Sequence, residues 1–290
     1  MEIKERAFSK INISLDIVGK YENGYHEMDM IMQSVSLFDD VRICISDGTG
    51  NITVKTDKAY LPCDSKNTAY KAAEIFMAEC AVHDKDVTVE IKKRIPSCAG
   101  LAGGSSDAAA VLRGLNRALG TGLKKDELER ISCAVGSDVA FCVSGGTVRA
   151  RGTGTDLTAI AEMGEYPVLI VKPRFSISTP ALFSRIDSTE ITKRPDTEFV
   201  VSAIERGDLH AASSAMENVF ESALGDKKRE IDKIKNKMKS CGAVCAMMTG
   251  TGSAVFGIFE NEKDMLRAYG AFCGEYGDVF VCRTMGKVEI

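Results

Sequence analysis

From residue 8 to residue 17 the chain alternates. Ile11, Ile13, Leu15 and Ile17 fall on one face, and Lys10, Asn12, Ser14 and Asp16 on the other. A period of two predicts a strand with one buried face. That strand ends at Gly19, and Asn23-Gly24 marks a turn. Strand-like stretches follow at 28–37, at Val41-Ile43-Ile45 and at Ile52-Val54, and Val87, Val89 and Ile91 alternate again ahead of Pro96. Ala72, Ile75, Phe76 and Cys80 recur at helical spacing and predict a helix over 68–80. A second helix puts Ala108, Val111, Leu112, Leu115 and Leu119 on one face and stops at Gly120. A short helix over 126–134 and a returning strand at 147–151 complete this half.

Gly152-Thr153-Gly154-Thr155 is the best candidate boundary, dividing the chain into 1–152 and 153–290. Beyond it the rhythm changes. A strand at 168–171 precedes Thr179-Pro180, read as a helix N-cap followed by its first residue. Helices are predicted at 197–205, 208–222 and 226–240. A hairpin of 243–248 and 254–259, a helix from Asn261 and a strand at 279–282 follow. Strands and helices without regular alternation predict an α+β fold and not a doubly wound parallel sheet.

Composition narrows the classes. A length of 290 residues suits two domains, and 44% hydrophobic with 27% charged residues is ordinary for a protein with a real core. The formal net charge of -4 gives no reason to expect nucleic acid or an anionic membrane as partner, although an acidic chain can still bind anionic substrates locally. The stretch MEIKERAFSK lacks the apolar centre of a secretory signal, and no apolar run approaches the ~18 residues of a membrane span. The 10 cysteines include no C-x-x-C, and Cys241 and Cys245 lack a second pair at zinc spacing, so no metal ligand is expected among the side chains. Cys44, Cys80, Cys142 and Cys282 sit in apolar segments as small hydrophobes. The expectation is a cytoplasmic protein with reduced thiols, a monomer or weak homodimer.

The most informative stretch is PSCAGLAGGSSDAAAVLRGLNRALG, a Gly/Ser loop opening a helix. Glycines let backbone N–H groups approach phosphate oxygens, and the helix N-terminus adds unpaired donors and a positive dipole end. Alone, the stretch serves equally as a plain loop with a Ser or Asp cap. No Walker A and no G-x-G-x-x-G occurs in the chain.

PSCAGLAGGSSDAAAVL resembles the nucleotide-binding signature of the GHMP kinases (galactokinase, homoserine kinase, mevalonate kinase and relatives). MTGTGSAVFGIF at 248–259 is similar to that family's second glycine turn, and two such motifs in order are far more specific than either alone. The resemblance implies an α+β two-domain fold with the active site in the interdomain cleft, and ATP with Mg²⁺. It assigns nucleotide contacts to Asn67, Pro96, Gly100, Leu101, Ala102, Gly103, Gly104, Ser105 and Ser106. Ala102 departs from the pattern, standing where the family usually has Gly. Its Cβ is expected to exclude a positive φ, with a small effect on nucleotide affinity.

The N-terminal stretch, with Lys10-Ile11-Asn12, Gly24-Tyr25-His26-Glu27, Met32-Gln33 and Leu37-Phe38-Asp39-Asp40, resembles the branch of that family that phosphorylates the 2-hydroxyl of a cytidine-diphosphate-linked methylerythritol. Val135-Gly136-Ser137-Asp138-Val139 and Thr179-Pro180-Ala181-Leu182-Phe183 match as well. By this resemblance Tyr25, His26 and Phe183 hold the cytosine, with Asn12, Thr179, Gly250 and Gly252 also on the substrate side. Asp138 takes the hydroxyl proton, and Lys10 stabilises the developing charge and keeps Asp138 ionised. Each residue also has a plainer reading: a solvent-facing edge for Lys10 and Asn12, a solvated turn for His26, a core position for Phe183, an N-cap for Asp138. Rival functions are a GHMP kinase acting on homoserine, a mevalonate or a sugar, a non-catalytic nucleotide-binding regulator, and a metal-held binding module.

Overall fold

The computed structural model describes residues 1–290. The first sheet has six strands: β1 (Glu2–Lys20), β2 (His26–Asp47), β3 (Ile52–Thr56), β4 (Lys85–Lys92), β5 (Thr147–Gly152) and β6 (Asp156–Ala159). β1 runs antiparallel along β2, whose other edge holds β4 at one end and β5 at the other. β6 pairs with β5, so this sheet continues past residue 152 to Ala159. Helices α1 (Thr68–Glu79), α2 (Gly103–Leu119), α3 (Lys125–Cys133) and α4 (Ser137–Ser144) belong to this half. The second sheet, in order β10-β7-β9-β8, consists of β7 (Pro167–Lys172), β8 (Cys245–Met248), β9 (Val255–Ile258) and β10 (Asp278–Arg283). Its helices are α5 (Thr179–Ile186), α6 (Thr197–Glu205), α7 (Leu209–Ala215), α8 (Lys228–Ser240) and α9 (Glu262–Cys273).

The stretches predicted at 28–37 and 41–45 form one strand. Asp39-Asp40 reads as a break, yet the Asp39 carboxylate is fully buried and accepts from the amides of Arg94 and Ile95, so the strand passes straight through. The helix predicted over 208–222 is broken. Met216 and Asn218 are extended, and the Asn218 side chain donates to Met248 O and Gly250 O, a buried role that a helical Asn218 could not fill. The cap of α5 is Ser178, whose Oγ accepts from Ala181 N, one residue before the predicted Thr179.

The two sheets share a core. Ile11 and Ile13 of β1 and Ile31 and Val35 of β2 pack in one cluster with Val168, Ile170, Val200, Phe256 and Ile258. An apolar join of that kind holds two halves in a fixed relation, and the cleft along it is pre-formed. All ten cysteines are free, and burial pushes the thiols of Cys142, Cys245 and Cys282 up to about 12, as inert hydrophobes. No helix is long and apolar enough to cross a membrane.

Candidate active site

The polar face of β1 is not a solvent edge. Lys10, Asn12, Ser14 and Asp16 are all buried, because the second half of the chain closes over them. Ser14 Oγ meets Thr197 Oγ1 at 3.0 Å, and the Asn12 amide donates to Thr249 Oγ1 at 3.0 Å. Lys10 Nζ donates to Asn12 Oδ1 at 2.6 Å and lies 3.5 Å from Asp138 Oδ2. With 5% of its side chain exposed, an ammonium without such partners would be costly to bury.

Asp138 sits in the first turn of α4. Gly136 is the N-cap, so the capping role considered for Asp138 fails and its carboxylate is left free for the cleft.

The Gly/Ser loop enters α2 at Gly103 with no side-chain cap, which leaves the first N–H groups of a 17-residue helix without intrahelical partners. Ala102 takes φ 57°, ψ 30°. The expectation that its Cβ excludes a positive φ is therefore corrected. The turn into the helix needs a left-handed residue, and Ala bears the strain. Gly100 has φ +75°, and a Cβ on it would lie 2.1 Å from Thr249 O. The second glycine turn thus braces the first: Thr249 Oγ1 donates to Gly100 O, and Ala254 N donates to Ala99 O at 3.1 Å.

Pro96, Gly100, Leu101, Ala102, Gly103, Gly104, Ser105 and Asn67 line one cavity of 380 Å³. Asn67 Oδ1 caps α1 and its Nδ2 donates to Pro62 O, which holds one wall of that cavity in place. Ser106 is not among the lining residues. It is buried, and its Oγ donates back to Ala102 O. Lys10, Asn12, Asp138, Thr179, Phe183, Gly250 and Gly252 line a second cavity of 510 Å³, which shares Cys98, Gly100 and Ala102 with the first. A third, of 890 Å³, holds Tyr25, His26 and Phe183 and shares Met28, Ser137 and Thr153 with the second. The cleft is one channel in three parts. The Phe183 ring lies 4.9 Å from His26 and edge-on to Phe220 at 4.8 Å, so it is half core and half lining. Tyr25 is 65% exposed at the mouth.

Several residues of this channel escape a reading of the chain. Lys93 lies under the phosphate loop, with Nζ 2.5 Å from Asp39 Oδ2 and 2.6 Å from Asp107 Oδ2. Its signal was parity: it continues the inward set Val87, Val89, Ile91 with a charge. Burial, opposed by Lys93 and reinforced by Asp39, pushes Asp107 up to about 7. Asn218 had no signal of its own, and Thr249 was marked only as part of the second glycine turn.

Residues 67–146 match the model of the GHMP kinases N terminal domain and residues 200–278 that of the GHMP kinases C terminal. The 4-diphosphocytidyl-2-C-methyl-D-erythritol kinase of Acetivibrio thermocellus is 41% identical over 283 residues, covering 98% of this chain and 99% of that protein. The chain belongs to the 4-diphosphocytidyl-2-C-methyl-D-erythritol kinase family. A crystal structure of 4-(cytidine 5'-diphospho)-2C-methyl-D-erythritol kinase superposes with a TM-score of 0.80 at 26% identity, over 98% of this chain and 100% of the other. Homoserine kinase from Cytophaga hutchinsonii, at TM-score 0.78 and 19% identity over 99% and 95% of the two chains, shares the fold. The GHMP kinase fold, with its cleft between two α+β halves, is thereby established, and membership of a kinase family implies ATP as donor.

Proposed function

We propose that this kinase transfers the γ-phosphoryl group of ATP to the 2-hydroxyl of 4-diphosphocytidyl-2-C-methyl-D-erythritol, a step of non-mevalonate isoprenoid precursor synthesis. The observation that carries the reading is the Lys10–Asp138 pair, 3.5 Å apart, in the middle part of a three-part channel. The glycine loop on one side suits phosphates, and the aromatic pocket on the other suits a base.

In this reading ATP lies along the loop of residues 100–106 with its phosphates on the N-terminus of α2. Asn67 and Pro96 border the nucleotide, and Ser106 acts from behind by tying the turn to Ala102 O. Tyr25 and Phe183 stack on the cytosine, and His26 meets its edge. Thr179, Gly250 and Gly252 line the path to the reacting hydroxyl, and Asn12 orients Lys10. Asp138 accepts the hydroxyl proton as the oxygen attacks phosphorus, and Lys10 stabilises the charge that builds there.

No cluster of three or more His, Cys, Asp or Glu side chains could form a metal cage. Mg²⁺ would ride on the nucleotide phosphates, with the Ser105 hydroxyl of the loop cavity as the side-chain oxygen that would hold it, since Mg²⁺ is commonly bound by few protein oxygens plus phosphates. When bound it neutralises bridging phosphate oxygens. The two halves meet near 152–159, the chain acts on a small molecule, and the state proposed is a monomer or weak homodimer.

The test is Mg²⁺-dependent ADP release with the cytidyl substrate, homoserine, mevalonate, phosphomevalonate and galactose. Turnover with the cytidyl substrate alone is expected, and Asp138→Asn should lower kcat about 10²- to 10⁴-fold. Turnover with another acceptor would remove the cytidine site, and a near-wild-type Asp138→Asn would remove the base.

A further inference from the structure

At the base end of the channel stands a carboxylate that the mechanism above leaves unused. Asp187 caps the C-terminus of α5, four residues after Phe183, so one helix face carries both. Its Oδ1 is 2.6 Å from His26 Nε2, and its Oδ2 is 2.6 Å from Lys20 Nζ. A carboxylate at a helix C-terminus faces the negative end of the dipole, so α5 itself gains nothing from it there. Its favourable partners are the two cation-capable groups across the pocket, both at the ends of β1 and β2.

The contact is more than a loose surface pair. Lys20 and Asp187 are well exposed, but only 10% of the His26 side chain is, and its ring packs against Phe183. Hydrogen bonds from Lys20, then from His26, hold the Asp187 carboxyl below the usual carboxylate range. The group is therefore ionised near neutrality and only accepts. The proton between the two residues belongs to Nε2, and in the neutral ring Nδ1 becomes a bare acceptor.

We propose that Asp187 is a positioning residue that sets base specificity: it holds His26 as the Nε2–H tautomer, so that Nδ1 accepts from an exocyclic amine. The inference rests on the cytidyl reading above. Cytosine offers an amino donor at its 4-position, where uracil offers a carbonyl oxygen. Against Nδ1 the amine makes a hydrogen bond, whereas the carbonyl sets two acceptors face to face and leaves both unpaired. A site built around such a bond rejects the analogue by far more than apolar contact can, about 10²-fold or more.

The experiment compares kcat/KM for the cytidyl acceptor and its uridyl counterpart in the wild type, Asp187→Ala, Asp187→Asn and His26→Ala. The ring protonation of His26 is read at pH 8 from ¹⁵N–¹H correlations, its signals identified by their loss in His26→Ala. Expected are an Nε2–H ring and a cytidyl preference of about 10²-fold or more. In Asp187→Ala that preference should fall at least about tenfold, through acceptor KM and with KM for ATP unchanged. Asp187→Asn, whose amide oxygen still accepts from Nε2, should keep most of it. A proton on Nδ1, or an unchanged preference in Asp187→Ala, overturns the inference while leaving the cytidyl reading intact. If His26→Ala leaves acceptor KM untouched, the cytidyl reading fails and the inference with it.

Discussion

The two ends of the channel are built from different materials. The end proposed for phosphate is backbone: glycines at positive φ, the open N-terminus of α2, and a second glycine turn that locks onto the first through Thr249 and Ala254. The end proposed for the base is side chains: Tyr25 on a turn, His26 at the start of β2, Phe183 on the eight-residue α5 and Asp187 at its C-cap. Phosphate oxygens ask only for N–H donors and room, which main chain supplies once its shape is fixed. A base edge asks for a donor or acceptor at one point, which only a chosen and oriented side chain supplies. Damage at the first end should therefore spread into the fold, and damage at the second should stay with the acceptor.

The largest effect expected from this contrast belongs to Gly100→Ala. The new Cβ meets Thr249 O at 2.1 Å, Thr249 C at 2.9 Å and Gly252 N at 3.1 Å, all of them backbone, and φ +75° adds left-handed strain. Chemical unfolding should show a loss of about 3 kcal/mol or more. KM should rise for ATP and for the acceptor together, because both glycine turns move. A variant that altered ATP KM alone, at full stability, would break the picture of a braced loop.

A smaller effect separates the ends by pH. Asp107 is lifted to about 7 in the fold from an ordinary value of 3.8. Between those values the folded chain holds a proton that the unfolded chain has released. The stability it contributes is thus complete below about pH 4 and is lost as pH rises through about 7. Asp187 has the opposite sign: its carboxyl is depressed, so its contribution is present above the ordinary carboxylate pKa and is lost as pH falls through the folded value. Unfolding free energy measured from pH 5 to pH 8 should decline in the wild type, and Asp107→Asn should flatten that decline. A slope identical in the variant would mean that the buried Asp39–Lys93–Asp107 cluster does not share a proton.

The same contrast explains what the chain discloses before it is folded. The phosphate loop is contiguous, its glycines are demanded by geometry, and α2 was read to its stop at Gly120. Lys10 and Asp138 were legible only through family resemblance, since alternation on β1 describes a half-exposed strand. The polar face is buried because Thr197 and Thr249, far along the chain, close over it. Asn218 could not be seen because its segment has helical composition, and the hydrogen bonds that pull it out of a helix go to Met248 and Gly250. Asp187 was equally hidden: its meaning lies in His26, at the start of β2, and no local pattern links a helix C-cap to a strand 161 residues away. Contacts made by the chain with itself nearby were readable, and contacts made across the cleft were not.

Ala102 is where the two materials meet, a side chain placed in a site otherwise made of backbone. It occupies φ 57° as N-cap of α2, a conformation that costs an L-residue about 1 kcal/mol relative to glycine. Ala102→Gly removes that strain but enlarges the conformational freedom of the unfolded chain, which costs about 0.5–1 kcal/mol. The two terms nearly cancel, so stability should move by less than about 0.5 kcal/mol in either direction. Because the backbone is already in the conformation that glycine would adopt, the donors of α2 stay where they are. KM for ATP should therefore change by less than about threefold, equivalent to under ~0.7 kcal/mol. A tightening of several orders of magnitude would mean that the Ala102 Cβ itself obstructs the nucleotide, and that the phosphate end is not governed by backbone alone.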